Sequence, residues 1–144
     1  MSISSASGTK LDFARAVAVA LGIALTIALV CGVVPGLADA SGRTFGLFRL
    51  NAYQNLLHTV SALWAFSAAY ISRSAAIFFL RMFGTLYFLD GLMGLAIGSG
   101  YLDLGVLVYG VLNVPLWFKF LTSLPHLVLG GTAAVAGFMS RRTP

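Results

Sequence analysis

Two histidines and one aspartate, His58, Asp90 and His126, stand inside otherwise apolar stretches of this 144-residue chain. Ionisable groups are costly there: an Asp at the centre of a lipid-embedded helix costs roughly 2.5–3.5 kcal/mol on insertion scales. A chain that keeps them pairs them, shields them in a bundle interior, or uses them. Imidazole and carboxylate together support three kinds of chemistry. They can hydrogen-bond across helices and fix register. They can hold a proton or ion, since a His pKa of about 6.5 moves with burial and with a neighbouring carboxylate. Two imidazoles on separate helices can also ligate a metal, or a haem iron from opposite faces, with Gly130 and Gly131 making room. No Cys-x-x-Cys-His attachment motif accompanies them, which counts against haem. These three readings stay open at the level of sequence.

The elements that must position these groups are helices. Residues 16–38 carry no charge, and residues 50–72 carry none apart from His58. A third apolar stretch runs from Ala75 to Gly98, interrupted by Arg81 and Asp90, and a fourth from Phe120 to Ser140. Each reaches the length of about 20 residues that a helix rising 1.5 Å per residue needs to cross the hydrocarbon core. Unpaired backbone groups cannot be satisfied in lipid, and no alternating pattern suggests a barrel. The expected fold is all-α: one domain over 1–144, a four-transmembrane-helix bundle with spans at about 16–36, 51–72, 76–98 and 120–139. The apolar segment 104–118 is short for a span and contains Asn113 and Pro115, so it is expected to be interfacial or re-entrant. Tyr101, Tyr109 and Trp117 suit the headgroup level.

Composition agrees. Hydrophobic residues make up 59% and charged residues 9% of the chain, with a mean hydropathy of +0.94. A water-exposed surface needs about 25% charged residues, so an integral membrane protein is expected. The net charge of +5 does not signal nucleic acid, because the basic residues edge apolar runs and do not interleave with aromatics. With the N-terminus inside, Lys10, Arg15, Arg73, Arg81, Arg141 and Arg142 fall on the inner side and Arg43, Arg49 and Lys119 on the outer. That excess places both ends inside. The first span has an alternative reading as a signal peptide, with a break at Pro35-Gly36 and an A-x-A pattern at Ala38-Asp39-Ala40, although its apolar run exceeds the usual 7–15 residues. Cys31 stands alone and forms no internal disulfide.

Counted from the outer ends of their spans, His58, Asp90 and His126 lie at a common depth of roughly 9–12 Å. Asn51, Asn55, His58 and Ala62 share one stripe by spacings of three and four; Gly84, Tyr87, Asp90 and Gly94 form a second; Thr122, His126, Gly130 and Gly137 form a third. Small residues let helix backbones approach, and Gly94–Gly98 is a GxxxG pair, so these faces are expected to pack inward. The candidate polar layer is therefore His58, Asp90, His126, Asn55 and Tyr87, with His58 and His126 as candidate cofactor ligands. Walker loops, GxSxG and HExxH are lacking, so a non-enzymatic role is expected.

The segments Asn55-Leu56-Leu57-His58-Thr59-Val60 and Leu124-Pro125-His126-Leu127-Val128-Leu129-Gly130-Gly131 resemble each other around the His. Together with Gly84-Thr85-Leu86-Tyr87 and Asn113, they resemble a family of small bacterial four-helix membrane proteins, a domain of unknown function (number 4383), over about Leu50 to Met139. The family pattern sets an Asn before a His-Leu-x-x-Gly stretch. The second copy fits at His126-Leu127-Val128-Leu129-Gly130; the first has Thr59 for Leu and Ala62 near the Gly position, and Ser123 or Thr122 replaces the Asn before His126. The resemblance implies the fold and a bacterial inner membrane location, and it brings no activity. The two His segments also suggest two helical hairpins. Partners are expected within the bilayer: lipid, other membrane subunits or a second copy.

Overall fold

The computed structural model describes residues 12–140, leaving Lys10, Arg141 and Arg142 outside the described residues. It is all-helical, with five helices in this region: α1 (Phe13–Val33), α2 (Ala52–Ile71), α3 (Arg73–Ile97), α4 (Gly105–Tyr109) and α5 (Leu116–Met139). Local chemistry sets the ends. The Asp12 carboxylate accepts from Ala14 N and Arg15 N at the start of α1. Asn51 opens α2 in a reciprocal capping box with Gln54. The chain reverses at one residue, Ser72, whose hydroxyl accepts from Ala75 N to start α3. Gly98 ends α3 in the left-handed conformation at φ 85°.

The span boundaries differ from those read in the sequence. The first helix runs over 13–33 because Pro35 lacks a donor and the chain is already extended at Val34, which excludes Pro35-Gly36. The third starts at Arg73, at its Ser72 cap. The last starts at Leu116, since Pro115 suits the position before a helix and stops nothing after it. The segment 104–118 is therefore divided between the short α4, an irregular stretch, and the first turn of α5. Three helices, α1, α3 and α5, are long and apolar enough to cross a membrane. The fourth long helix, α2, is not among them: its 20 residues include Gln54, Asn55, His58, Thr59 and Ser61.

Packing is of the membrane type. The core is made of small residues, Ala62, Ala65, Ala68, Ala76, Ala133 and Ala136 among them, around a few large ones such as Phe79, Phe83 and Leu25. The outer faces carry large apolar side chains, with Ile27 59% and Leu63 62% exposed. Water would not tolerate such a surface, and the protein is a helical membrane protein. The closest pairs are α1 with α2 and α3 with α5, so the chain forms two hairpins.

Glycines set the α3–α5 pair. A Cβ on Gly84 would strike the Ala134 backbone, one on Gly130 the Phe88 backbone, and one on Gly137 would stand 2.8 Å from Arg81 N. Gly91 and Gly94 meet Leu127 and Ser123 in the same register. Gly84 and Gly91, like Gly130 and Gly137, are seven residues apart, the repeat that keeps one helix face on its partner. The Gly94–Gly98 pair does not act as a GxxxG contact, because Gly98 is the left-handed helix end. The glycine faces are consumed inside the chain and are not offered to a partner.

Basic residues serve helix ends. The Arg15 guanidinium donates to Ala69 O at the end of α2 (2.6 Å). That of Arg81 reaches Gly137 O and Ser140 O at the end of α5, and Lys119 Nζ donates to Ala96 O at the end of α3. The last carbonyls of a helix lack partners within it and carry partial negative charge, so a cation there is favourable. Arg81, inside an apolar run, thereby finds its acceptors without leaving the bundle.

Candidate functional site

Asp90 lies one turn inside the glycine-lined contact between α3 and α5 and is 2% exposed. Close approach of the two helices brings His126 to it: His126 Nδ1 lies 2.5 Å from Asp90 Oδ2. This is the only ion pair among the described residues. The other carboxylate oxygen is used by the backbone. Oδ1 accepts from Tyr101 N at 2.6 Å and Leu102 N at 2.9 Å. The chain after α3 thus folds back into the bundle mouth and is tied to a carboxylate eleven residues earlier. With Asp90 ionised, three donors converge on it, which offsets the loss of water around a buried charge.

The fold-back requires Gly100. A Cβ there would lie 2.6 Å from Asp90 Oδ2. Further bonds hold the same loop: Gln54 of α2 donates to Asp103 Oδ2 at 2.8 Å, Val106 N donates to Gly100 O at 2.7 Å, and the Ser99 hydroxyl donates to Gly110 O. Leu104 is held at φ 60°, a left-handed conformation that costs a non-glycine residue about 1–2 kcal/mol. Such strain persists only where surrounding contacts over-determine it. Tyr101 turns inward, and its hydroxyl donates to Leu86 O at 2.7 Å. Burial, and then the Asp90 charge, push its phenol above the ordinary pKa. Tyr109 and Trp117 are 46% and 61% exposed.

The remaining layer residues divide. Tyr87 joins the site, its ring 5.0 Å from that of His126 and its hydroxyl 3.1 Å from Ser61 Oγ on α2. His58 is 8% exposed, and its Nδ1 has no hydrogen-bond partner. Asn55 faces the other way, onto α1: its Nδ2 donates to Gly32 O at 3.3 Å, and its Oδ1 is buried without a partner. A Cβ on Gly32 would collide with that oxygen. Asn55 therefore fastens the first hairpin and takes no part in the Asp90 cluster. Beneath the layer the bundle is filled by Phe79, Leu80, Phe83 and Ala65.

The donor set does not fit a metal: no group of three or more His, Cys, Asp or Glu among the described residues could hold one. Both oxygens of Asp90 are already engaged. For a haem between the two imidazoles, the structure shows the Tyr87 ring 5.0 Å from that of His126 and no direct packing of α2 on α5.

Sequence reading found Asp90, His126 and Tyr87 but missed Gly100, Tyr101, Leu102, Asp103 and Gln54. The available signal was Gly98-Ser99-Gly100, which permits a tight reversal just beyond the helix that carries a buried acid. No family model matches the chain, and no curated protein or solved structure shows significant similarity to it.

Proposed function

We propose that the chain is a small integral membrane protein of non-enzymatic role, structural or an accessory subunit of a membrane complex. In this reading all four long helices cross the bacterial inner membrane, both chain ends face the cytoplasm, and α2 crosses with its polar turns at the outer, loop-covered end. The sequence resemblance to the four-helix family supports the same fold and location. One observation carries the role: every acceptor of Asp90 is spent within the chain, on His126 and on the two backbone N–H groups of the returning loop. A carboxylate so engaged is a fastening. Partners, whether another subunit or a second copy, meet the large apolar outer faces, since the glycines are internal.

A second reading, proton handling, is favoured by the unpartnered His58 Nδ1. It is opposed by the core below, whose buried side chains among the described residues are mainly alanine, phenylalanine and leucine. Proteoliposomes carrying a pH gradient distinguish them. The structural reading expects the leak rate of empty vesicles. A faster leak that His58→Gln or His126→Gln abolishes would replace it with proton conduction.

A further inference from the structure

On the far side of α5 from its α3 contact, the loop after α1 meets the beginning of α5 around an open groove of about 360 Å³. Its walls include Arg43, Leu47, Val114, Pro115, Trp117 and Phe118. The Arg43 guanidinium lies 5.4 Å above the centre of the Phe118 ring. It makes no hydrogen bond and no ion pair among the described residues. The nearby acid, Asp39, spends one carboxylate oxygen on Ser41 and on Arg43 N, so it holds the backbone of the turn. Trp117 stands 61% exposed beside this cation.

The groove has a definite height in a bilayer. A helix of 24 residues is about 36 Å long, longer than the hydrocarbon core of about 30 Å. In the membrane reading, that surplus of about 6 Å leaves room for the first turn of α5, with Trp117 and Phe118, to stand in the headgroup region at the loop end. Lys119 is on that same turn, and Arg49 follows in the same loop as Arg43. An unpaired guanidinium resting on an aromatic ring, beside an exposed Trp and an apolar floor, complements a molecule with a phosphate at one end and hydrocarbon at the other.

We propose that this groove seats an anionic glycerophospholipid, with its phosphate on Arg43 and its glycerol and upper acyl chain along Trp117 and Val114. The proposal rests on the membrane reading above and names a lipid partner for it. The Phe118 ring pre-orients the guanidinium, and the Asp39-centred turn holds Arg43 over the groove.

The chain has two tryptophans, and the other, Trp64, packs in the core against Phe79. In a Trp64→Phe background Trp117 alone reports on the groove. Fluorescence is measured in nanodiscs of zwitterionic lipid doped with brominated phosphatidylglycerol or brominated phosphatidylcholine. Brominated phosphatidylglycerol is expected to quench at about fivefold lower mole fraction, the preference one basic residue near a surface supplies. Arg43→Gln should remove that preference without lowering Tm. Equal quenching by the two lipids, or a preference that Arg43→Gln leaves intact, overturns the proposal while the membrane reading stands. Inorganic phosphate at millimolar concentration abolishing the preference would also overturn it, in favour of a soluble anion. Failure of the folded protein to enter nanodiscs would instead remove the membrane reading.

Discussion

Removing the Asp90 carboxylate should release the loop that it holds before it unfolds the bundle. Asp90→Leu strands three donors: Tyr101 N, Leu102 N and the His126 ring N–H. A donor left buried and unpaired costs about 1–3 kcal/mol, or roughly 3–9 kcal/mol for three if nothing moves. The protein can avoid most of that. His126 is 24% exposed, and the two backbone donors reach water if the loop lifts away. Lifting also relieves the left-handed Leu104. The expected net loss is therefore about 2–3 kcal/mol, bounded by what the loop contributes when docked. Asp90→Asn keeps an acceptor oxygen for Tyr101 N and Leu102 N. It turns charge-assisted bonds into neutral ones of about half the strength, and it obliges His126 to accept at Nδ1 from the new amide. A loss of about 1 kcal/mol is expected, with the loop still docked. Hydrogen exchange in detergent, read at the amides of Tyr101 and Leu102 beside the thermal midpoint, separates the cases. Wild type and Asn should protect both amides, and Leu should expose them while α3 and α5 remain protected. Full protection of both amides in Asp90→Leu would refute the fastening, and so would identical behaviour of Asn and Leu.

Two further outcomes follow from contacts elsewhere. Gly130→Ala should destabilise by up to about 2 kcal/mol, since overpacking against the Phe88 backbone costs about 1–3 kcal/mol and the gain in helix propensity returns about 1. Gly131→Ala, whose Cβ would meet the Phe88 ring at an ordinary 3.6 Å, should be neutral or stabilising in the same thermal assay. Tyr101 should ionise above the free phenol, because burial and Asp90 disfavour the phenolate. The neutral phenol is the form the fold prefers, so its stabilising contribution is complete below the unfolded pKa of about 10 and is lost as pH rises through the higher folded value. An ultraviolet difference titration of wild type against Tyr101→Phe reads this directly; a tyrosine titrating at or below the free value would count against the inward placement.

How much was legible in the sequence depended on whether a residue's partner lay at a helical spacing. Equal depth on antiparallel helices brought Asp90 and His126 together correctly, and the small residues Gly84, Gly130 and Gly137 marked the faces that touch. The stripe through Tyr87 and Asp90 omitted Gly91, although it stands four residues after Tyr87 and seven after Gly84, the repeat of the α3–α5 contact. Asn55 shares a stripe with His58 in sequence, but one turn of helix rotates it onto α1, where Gly32 leaves room for its amide. The loop from Gly98 to Leu104 was opaque for a different reason. Its conformation is fixed by Asp90 and Gln54, neither of which is local, so Gly98-Ser99-Gly100 reads as a turn without saying where the turn goes.

The charged side chains with visible partners among the described residues are gathered toward the ends of this bundle. At one end Arg15 and Arg81 satisfy the closing carbonyls of α2 and α5. At the other, Lys119 does the same for α3, and Asp90, His126, Gln54 and Asp103 bind the returning loop. Between them lies a core mainly of alanines, phenylalanines and leucines, with one buried hydroxyl pair, Ser61 and Tyr87, inside it. In lipid an unsatisfied backbone group costs several kcal/mol, so each charged side chain with a visible partner here answers a backbone need that water would otherwise meet. His58 is the exception that this logic isolates. Its Nδ1 is buried at the polar end with no hydrogen-bond partner, as is the Asn55 Oδ1 one turn earlier.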